Sequence, residues 1–170
     1  LITEKIKIIV LKGVFLAETI YKNIALRSMT DIDILIKKDD LPRANKVLNS
    51  LGYPSPLYYP TFLNTSSLSS INTLIYRANL LVHLHWHLIN STWPLESFVK
   101  KIDMKRIWTC AESGKIGDID TLTLAPEHLL IYLAQHGVHH SFDRLILLYD
   151  IAEVLKYYRD RLNWELVAQE

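Results

Sequence analysis

Short apolar runs and helically spaced apolar positions alternate along the chain, and this pattern predicts its secondary structure. The apolar, β-branched runs at residues 6–11 and 31–36 have the length and composition of buried strands. Between these runs, residues 14–23 place apolar side chains three and four positions apart, which predicts an amphipathic helix. The N-terminal part of the chain is therefore expected to fold as strand, helix and strand.

A second helix is predicted directly after the 31–36 strand. Asp39 and Asp40 supply an acidic N-terminus, and Pro42 suits the first turn of a helix. Gly52 suits the position at which a helix ends. The predicted buried stripe of this helix consists of Leu41, Ala44, Val47, Leu48 and Leu51.

Strands come before helices in the rest of the chain. A loop into a short edge strand is predicted at 53–60, a serine-rich turn at 63–70, and antiparallel strands at 71–77 and 80–86 with a tight turn at 78–79. The later elements are a mostly helical segment at 93–108, a hairpin or a loop with one short strand at 114–124, and helices at 126–135 and 142–158.

This order predicts the α+β class: a small mixed β-sheet with flanking helices, followed by a helical C-terminal part. We expect residues 1–90 to form the core and residues 91–170 to form a mainly helical subdomain. The chain begins at Leu1, already within the pattern of a folded segment, so we expect it to be a piece of a longer protein.

Composition narrows the function classes. With 170 residues, 49% hydrophobic and 22% charged, the chain has the make-up of a globular domain. A net charge of +1 gives no strong sign of a nucleic-acid partner. No apolar stretch approaches the roughly 18 residues that cross a bilayer, so no membrane partner is expected. Cys110 is the single cysteine, which excludes an intrachain disulfide and favours the cytoplasm.

Asp31 and Asp33 are the most informative chemical feature. Residues two apart in a strand point to the same face of a sheet, so the two carboxylates are expected side by side. Mg²⁺ binds through one or two carboxylates together with phosphate oxygens of the substrate. Upstream, Lys12 and Gly13 lie where a strand gives way to a helix, whose first N–H groups suit a phosphate. Together these residues predict a site for a metal-bound nucleoside triphosphate.

A simpler interpretation of the two aspartates stays open. They could be solvated acids on the exposed face of an edge strand. The apolar neighbours Ile32, Ile34, Leu35 and Ile36 favour a central strand instead. Gly13 alone is weak support for a phosphate site, because many turns use glycine for its conformational freedom.

Histidines form two further candidate sites. His83, His85 and His87 alternate, but three such positions span about 13 Å, too far for one ion, so the strand is expected to supply at most two ligands. For His87 we expect hydrogen bonds to neighbouring residues. The second group comprises His136, His139, His140, Asp143 and Asp150, and the two aspartates, seven positions apart, are expected on one face of the 142–158 helix. This group could bind a metal in a hydrolase, or its members could cap helices, pair with Arg144 or face solvent.

An ordered set of residues carries a family resemblance. The set is Val10-Leu11-Lys12-Gly13, Tyr21, Arg27, Met29, Asp31–Ile36, the pair His85-Trp86 after Leu84, and a histidine, an arginine-leucine pair and an aspartate within residues 133–150. It resembles the uncharacterised bacterial and archaeal nucleotidyltransferase family of the DNA polymerase β-like superfamily. The similarity spans nearly the whole chain.

The resemblance implies a nucleotidyltransferase fold and a two-metal reaction. In such enzymes three carboxylates hold Mg²⁺ or Mn²⁺, a hydroxyl acceptor attacks the α-phosphorus of a nucleoside triphosphate such as ATP, and pyrophosphate leaves. Carried over to this chain, Asp31 and Asp33 would be catalytic metal ligands and Gly13 would cradle the phosphates. Lys12 and Arg27 would contact phosphates.

Two departures from the family pattern leave the activity open. His83 occupies the expected position of the third carboxylate, where it could take a proton or ligate a softer metal but supplies no negative charge. Val14 follows Gly13, where the wider superfamily prefers glycine or serine. The sequence therefore supports three hypotheses: an active nucleotidyltransferase, a weakened relative that senses nucleotide or binds a partner, and a histidine-dependent metal hydrolase.

Overall fold

The computed structural model describes residues 1–53, 73–77, 80–89 and 101–169. Its strands are β1 (Ile8–Val10), β2 (Asp31–Ile36), β3 (Thr73–Arg77), β4 (Leu80–His85), β5 (Glu112–Ile116) and β6 (Ile119–Thr123). Its α-helices are α1 (Lys12–Phe15), α2 (Leu41–Ser50), α3 (Met104–Cys110), α4 (Pro126–His139), α5 (Leu145–Tyr157) and α6 (Trp164–Gln169). A π-helical turn, Leu16–Ile20, continues α1, and short 3₁₀ turns lie at Ile2–Glu4, Ile24–Leu26 and Lys38–Asp40.

Within the described ranges, one six-stranded mixed sheet runs in the order β3-β4-β2-β1-β6-β5. Strand β2 lies between β1, which is antiparallel to it, and β4, which is parallel. The prediction that Asp31–Ile36 forms a central strand is therefore confirmed, and the edge-strand interpretation of its aspartates is wrong. Strand β6 joins β1 in parallel, so residues beyond 90 extend the same sheet. The division of the chain at residue 90 stays a prediction.

The two faces of β2 have different environments. Leu35 faces a core formed with α1, α4 and α5, which includes Leu129 and Val154, all fully buried. Ile36 faces a second core under α2, where Ala44 is buried. Because side chains alternate along a strand, Asp31 and Asp33 share the face of Leu35. The carboxylates therefore open toward α4 and α5, and α2 covers the opposite face.

The structure corrects several predicted boundaries. Strand β1 begins at Ile8 rather than residue 6, and the helical segment after it begins at Lys12 and ends at Ile20. The segment predicted at 114–124 is a true two-stranded hairpin, which covers residues 112–123. Helix α4 continues past Gln135 to His139, and α5 begins at Leu145 rather than residue 142. The later start follows from positive φ angles at Ser141 and Phe142, which a right-handed helix does not accommodate.

Helix α2 follows its prediction except at its end. Gly52 has a φ of 82°, as a helix-terminating glycine requires. Leu51 was expected in the buried stripe but is 53% exposed, because the helix has already ended there. Predictions for residues 54–72, 78–79 and 90–100 lie outside the described residues. No helix in the described part of the chain is long and apolar enough to cross a bilayer.

Candidate functional site

A pocket of about 490 Å³ opens where β1 ends and β2 begins. The β1–α1 junction, the segment entering β2, strand β4, helix α4 and the start of α5 all contribute to its wall. The six residues assigned to the nucleotide site from the sequence all line this one pocket: Lys12, Gly13, Arg27, Asp31, Asp33 and His83. The fold thus brings together residues that are up to 71 positions apart in the sequence, Lys12 and His83. The roles assigned to them stay predictions.

Asp33 is the buried centre of the pocket, with only 1% of its side chain exposed. Its strand is fixed because Leu11 donates its backbone N–H to the Asp33 carbonyl at 3.0 Å. Nε2 of His85 lies 2.7 Å from Oδ1 of Asp33, and Nδ1 of His83 lies 3.3 Å from the same oxygen. The parallel register of β2 and β4 explains why these side chains are close, since it places His83 directly opposite Asp33.

The charge state of Asp33 follows from these neighbours. Burial alone would raise the pKa of Asp33, but His83, His85 and Lys12 outweigh burial and hold that pKa well below its ordinary value. Burial lowers the pKa of His85, which therefore is neutral and donates its Nε2–H to the carboxylate. A carboxylate ionised in a buried position is the donor that a divalent cation needs.

Lys12 joins this carboxylate to helix α4. Its Nζ lies 3.4 Å from Oδ2 of Asp33 and 3.4 Å from Nε2 of His136. Burial, followed by the Lys12 charge, lowers the pKa of His136 to about 3, so His136 is neutral and accepts from the ammonium. The expectation that Lys12 is available for phosphate is thus refined: its ammonium already bridges two side chains.

Asp31 also lines the pocket and is half-buried. Oγ1 of Thr30 lies 3.4 Å from its Oδ1. Donor atoms of Asp33, His83 and His85 lie within 4.8 Å of one another, the one such group of three among the described residues, and Asp31 is outside it. Asp31 and Asp33, the metal ligands predicted from the sequence, therefore lie on one face of the sheet. The closest group of possible metal ligands, however, combines Asp33 with His83 and His85 and leaves out Asp31.

Arg27 is held by a carboxylate that the sequence did not connect with it. Its Nε and Nη2 donate to Oδ1 and Oδ2 of Asp150 at 2.9 and 2.7 Å. Tyr21 donates its hydroxyl to Oδ1 of the same aspartate at 2.8 Å. Burial and the Asp150 hydrogen bond raise the pKa of Tyr21, which keeps its proton on the hydroxyl. Three residues from the two ends of the chain thus form one buried polar cluster.

The predicted histidine–aspartate metal cluster does not assemble. Asp143 precedes α5 and is exposed, with Arg144 at 3.8 Å, whereas Asp150 lies within α5 and is buried against Arg27. Placing the two aspartates on one helix face was therefore wrong, since the helix begins after Asp143. Rings of His136, His139 and His140 stack edge to face, yet the described residues hold no metal group there.

The three histidines predicted to share one strand, His83, His85 and His87, do not all lie on it. Strand β4 ends at His85, so His83 and His85 share a face of the sheet and His87 lies beyond it. Nδ1 of His87 lies 3.2 Å from both the backbone nitrogen and the carbonyl oxygen of Ile89, as expected for a histidine bonded to its neighbours. His87 is buried.

Sequence reasoning missed three parts of the site. These are the buried Tyr132 on the pocket wall, the bridge from Lys12 to His136, and the pairing of Arg27 with Asp150. The last two contacts join residues 124 and 123 positions apart, and no local pattern signals such a pairing.

Comparisons with known proteins agree with this fold. The whole chain, residues 1–170, matches a family described as uncharacterised nucleotidyltransferase. A search of curated proteins finds no significant match. Among solved structures, the solution structure of the antibiotic-resistance factor ANT(2'')-Ia is similar, with a TM-score of 0.61 at 10% identity, covering 98% of this chain and 80% of that one. At this identity the likeness shows a shared fold alone. The chain belongs to the family of uncharacterised nucleotidyltransferases.

Proposed function

We propose that this protein is a metal-dependent nucleotidyltransferase that moves a nucleoside monophosphate from a nucleoside triphosphate to a hydroxyl acceptor and releases pyrophosphate. The observation that carries the proposal is the ionised, buried Asp33 in a pocket that it shares with Asp31, Gly13 and the cationic side chains of Lys12 and Arg27. The cytoplasm is the proposed compartment, since the exposed Cys110 thiol stays reduced there.

The side chains fit a divalent cation. Among the described residues, Oδ2 of Asp33 is buried and accepts no hydrogen bond, although Nζ of Lys12 lies 3.4 Å away. Asp31 and Asp33 would hold Mg²⁺ or Mn²⁺, which suit carboxylates together with phosphate oxygens. When bound, such an ion neutralises phosphate charge and lowers the pKa of a coordinated hydroxyl.

The protein's own groups position the reactants. His85 orients the Asp33 carboxylate through its 2.7 Å hydrogen bond, and Lys12 supplies a positive charge beside it. Because Nδ1 of His83 is directed to Asp33, Nε2 of His83 is the atom that would accept the proton of the acceptor hydroxyl. The hydroxyl oxygen forms its bond to the α-phosphorus as the bond to the pyrophosphate oxygen breaks. Catalysis here consists mainly of positioning and charge neutralisation.

One observation favours a second candidate, a weakened relative that binds nucleotide without efficient turnover. The residue opposite Asp33 in β4 is His83, and among the described residues no third carboxylate joins the donor group. If this candidate is correct, His83→Asp should create or strongly raise pyrophosphate release. If the His83 imidazole is the proton acceptor of an active enzyme, the same variant should lose activity.

The test of the proposal measures binding and pyrophosphate release in parallel. Each nucleoside triphosphate is added with Mg²⁺, Mn²⁺, Zn²⁺ or no metal, in the presence of pooled small hydroxyl compounds. Ligand at about 100 times its Kd stabilises a protein by about 2.7 kcal/mol, so thermal unfolding reports binding without any acceptor.

Asp31→Asn and Asp33→Asn should abolish metal-dependent stabilisation and pyrophosphate release while the protein still folds. The matched control is Asp39→Asn, the same change at an exposed position in the Lys38–Asp40 turn. Full activity in both site variants, or no nucleotide binding by the wild-type protein with any metal, would refute the proposed function.

A further inference from the structure

Arg27 is buried with part of its guanidinium still unused. The residue is 7% exposed, and Asp150 accepts from one side of the guanidinium, at Nε and Nη2. The end of the group, formed by Nη1 and the outer hydrogen of Nη2, donates to no residue that the structure describes. A guanidinium that pairs along one side can still take a planar or tetrahedral oxyanion at its end.

The unused end of Arg27 faces the Gly13 turn inside the pocket. A Cβ placed on Gly13 would lie 3.5 Å from Nη1 of Arg27, the nearest atom outside the adjoining residues and the backbone of the helix itself. Arg27 and Gly13 both line the pocket that contains Asp31 and Asp33. An oxyanion that contacts Nη1 would therefore lie over the Gly13 backbone and within the same pocket as the carboxylates.

We infer that Asp150 and Tyr21 are positioning residues that hold the Arg27 guanidinium so that its Nη1 end binds the β- and γ-phosphates of the nucleotide. This inference rests on the proposed function and deepens it. It assigns to helix α5, in the C-terminal part of the chain, an influence on the phosphate end of the substrate that is exerted through Arg27. Neither Asp150 nor Tyr21 needs to touch the nucleotide.

The chemistry of the cluster explains why two residues support one arginine. A buried guanidinium requires a compensating charge, and removing that charge is strongly destabilising in proteins. Asp150 supplies it and fixes the plane of the group through two parallel hydrogen bonds. Tyr21 donates a second hydrogen bond to Oδ1 of Asp150, which holds the carboxylate in its orientation. Preorganisation of this kind improves binding because the arginine loses little freedom when the phosphate arrives.

The test compares ligands that do and do not carry the distal phosphates. Affinities for inorganic pyrophosphate with Mg²⁺, for an α,β-methylene nucleoside triphosphate and for the matching nucleoside monophosphate are measured by isothermal titration calorimetry. The affinity for orthophosphate is measured in the same way. Competition between pyrophosphate and the triphosphate analogue distinguishes the leaving-group end of the nucleotide from a phosphate carried by an acceptor.

Tyr21→Phe removes one hydroxyl and leaves the Arg27–Asp150 pair in place. We expect it to weaken pyrophosphate and triphosphate binding about three- to tenfold, the range of one hydrogen bond, and to leave monophosphate binding unchanged. The control is Tyr149→Phe, because its ring lies 5.9 Å from Tyr21 but is half exposed and makes no hydrogen bond to Asp150. This variant should bind all three ligands as the wild-type protein does.

Stronger changes extend the series. Arg27→Lys keeps a positive charge but loses the rigid planar guanidinium, and Asp150→Asn loses the compensating negative charge. Both variants should bind pyrophosphate more than tenfold more weakly. Asp150→Glu should recover part of the affinity that Asp150→Asn loses. Should Asp150→Asn fail to fold, Tyr21→Phe and Arg27→Lys still decide the question.

The outcomes separate this inference from the proposed function. Unchanged pyrophosphate affinity in Tyr21→Phe and Arg27→Lys would overturn the positioning role, while nucleotide binding by the wild-type protein would leave the proposed function intact. A parallel loss of monophosphate and triphosphate affinity would indicate a purely structural role and would also overturn it. If the wild-type protein binds neither pyrophosphate nor the triphosphate analogue, both the inference and the proposed function fail.

Discussion

Gly13→Ala should separate the stability of this protein from its affinity for phosphate. An added Cβ would meet Nη1 of Arg27 at 3.5 Å, the Asp31 carbonyl oxygen at 3.6 Å and the Met29 Cβ at 3.7 Å. All three are ordinary van der Waals distances, so the methyl group fits without moving its neighbours. Gly13 is also the second residue of α1 and has no positive φ, so alanine meets no backbone strain.

The expected change in stability is small and favourable. Alanine is preferred over glycine in a helix interior by about 0.8–1.0 kcal/mol, which is an upper limit this close to a helix end. For a domain of this size, 1 kcal/mol corresponds to about 2–4 °C in Tm. We therefore expect Gly13→Ala to unfold at the same temperature as the wild-type protein or a few degrees higher.

The expected change in affinity is large and unfavourable. A phosphate oxygen bonded to Nη1 of Arg27 approaches to about 2.7–3.2 Å, whereas a methyl carbon requires about 3.5–4.0 Å from its neighbours. The new methyl would take up the space between Gly13 and Arg27 that the oxygen needs. Affinity for pyrophosphate and nucleoside triphosphate should fall at least about tenfold, or 1.4 kcal/mol, when measured by calorimetry.

Gly117→Ala should give the opposite pattern and is the matched control. Gly117 has a φ of 55° in the β5–β6 turn, and a Cβ there would meet nothing within 4 Å. Left-handed backbone costs a residue with a Cβ about 1–2 kcal/mol, so Tm should fall while phosphate affinity stays unchanged. Wild-type affinity in Gly13→Ala would refute the placement of phosphate over this turn, and a marked loss of its stability would refute the steric argument.

Three further predictions concern packing and pH. Gly137→Ala should lower the unfolding free energy by about 1–3 kcal/mol in urea titrations, because the new methyl would overlap the Phe142 ring; an unchanged midpoint would contradict the close packing of α4 at this turn. Leu35→Ala, at a side chain with 0% exposure, should cost about 2–5 kcal/mol by the same assay, and less than about 1 kcal/mol would be inconsistent with its core position. The lowered pKa of His136, about 3 against 6.5 when unfolded, means that the unfolded state binds more protons between these values, so Tm should fall on acidification from about pH 7.5 to 4.5. His136→Gln, which keeps an acceptor for Lys12, should flatten that decline, and an equally steep profile would argue against a neutral His136.

Local sequence patterns were enough to predict the main elements and the face that carries the carboxylates. Strand Asp31–Ile36 was predicted to the residue, because an apolar β-branched run has few alternatives and because side chains alternate with a period of two. The same period placed Asp31 and Asp33 together on one face. Helix ends were less well predicted. Ser141 and Phe142, for example, adopt positive φ angles that cannot be predicted from either residue type.

Some of the residues that line the pocket could be predicted from the sequence. The ordered motif of Lys12, Gly13, Arg27, Asp31 and Asp33 marks residues that do line a single pocket. His83 was singled out because it occupies the position at which the family resemblance implies a third carboxylate, and the parallel register of β2 and β4 sets it opposite Asp33. Lys12, Gly13, Asp31 and Asp33 were found because they lie in or beside predicted strands, whereas Arg27 and His83 were identified through the family resemblance.

Only the tertiary structure decided which side chains meet across the pocket. Asp143 and Asp150 looked equivalent in sequence, yet one is exposed and the other is buried against Arg27, which lies 123 positions away from it. Lys12 reaches His136 across an even longer separation. Sequence periodicity specifies the face on which a residue lies, but the packing of α4 and α5 over the sheet determines which residue lies opposite. The sequence alone therefore determined the strands, the helices and the acidic face, and packing determined the partners that set the charge and orientation of each group.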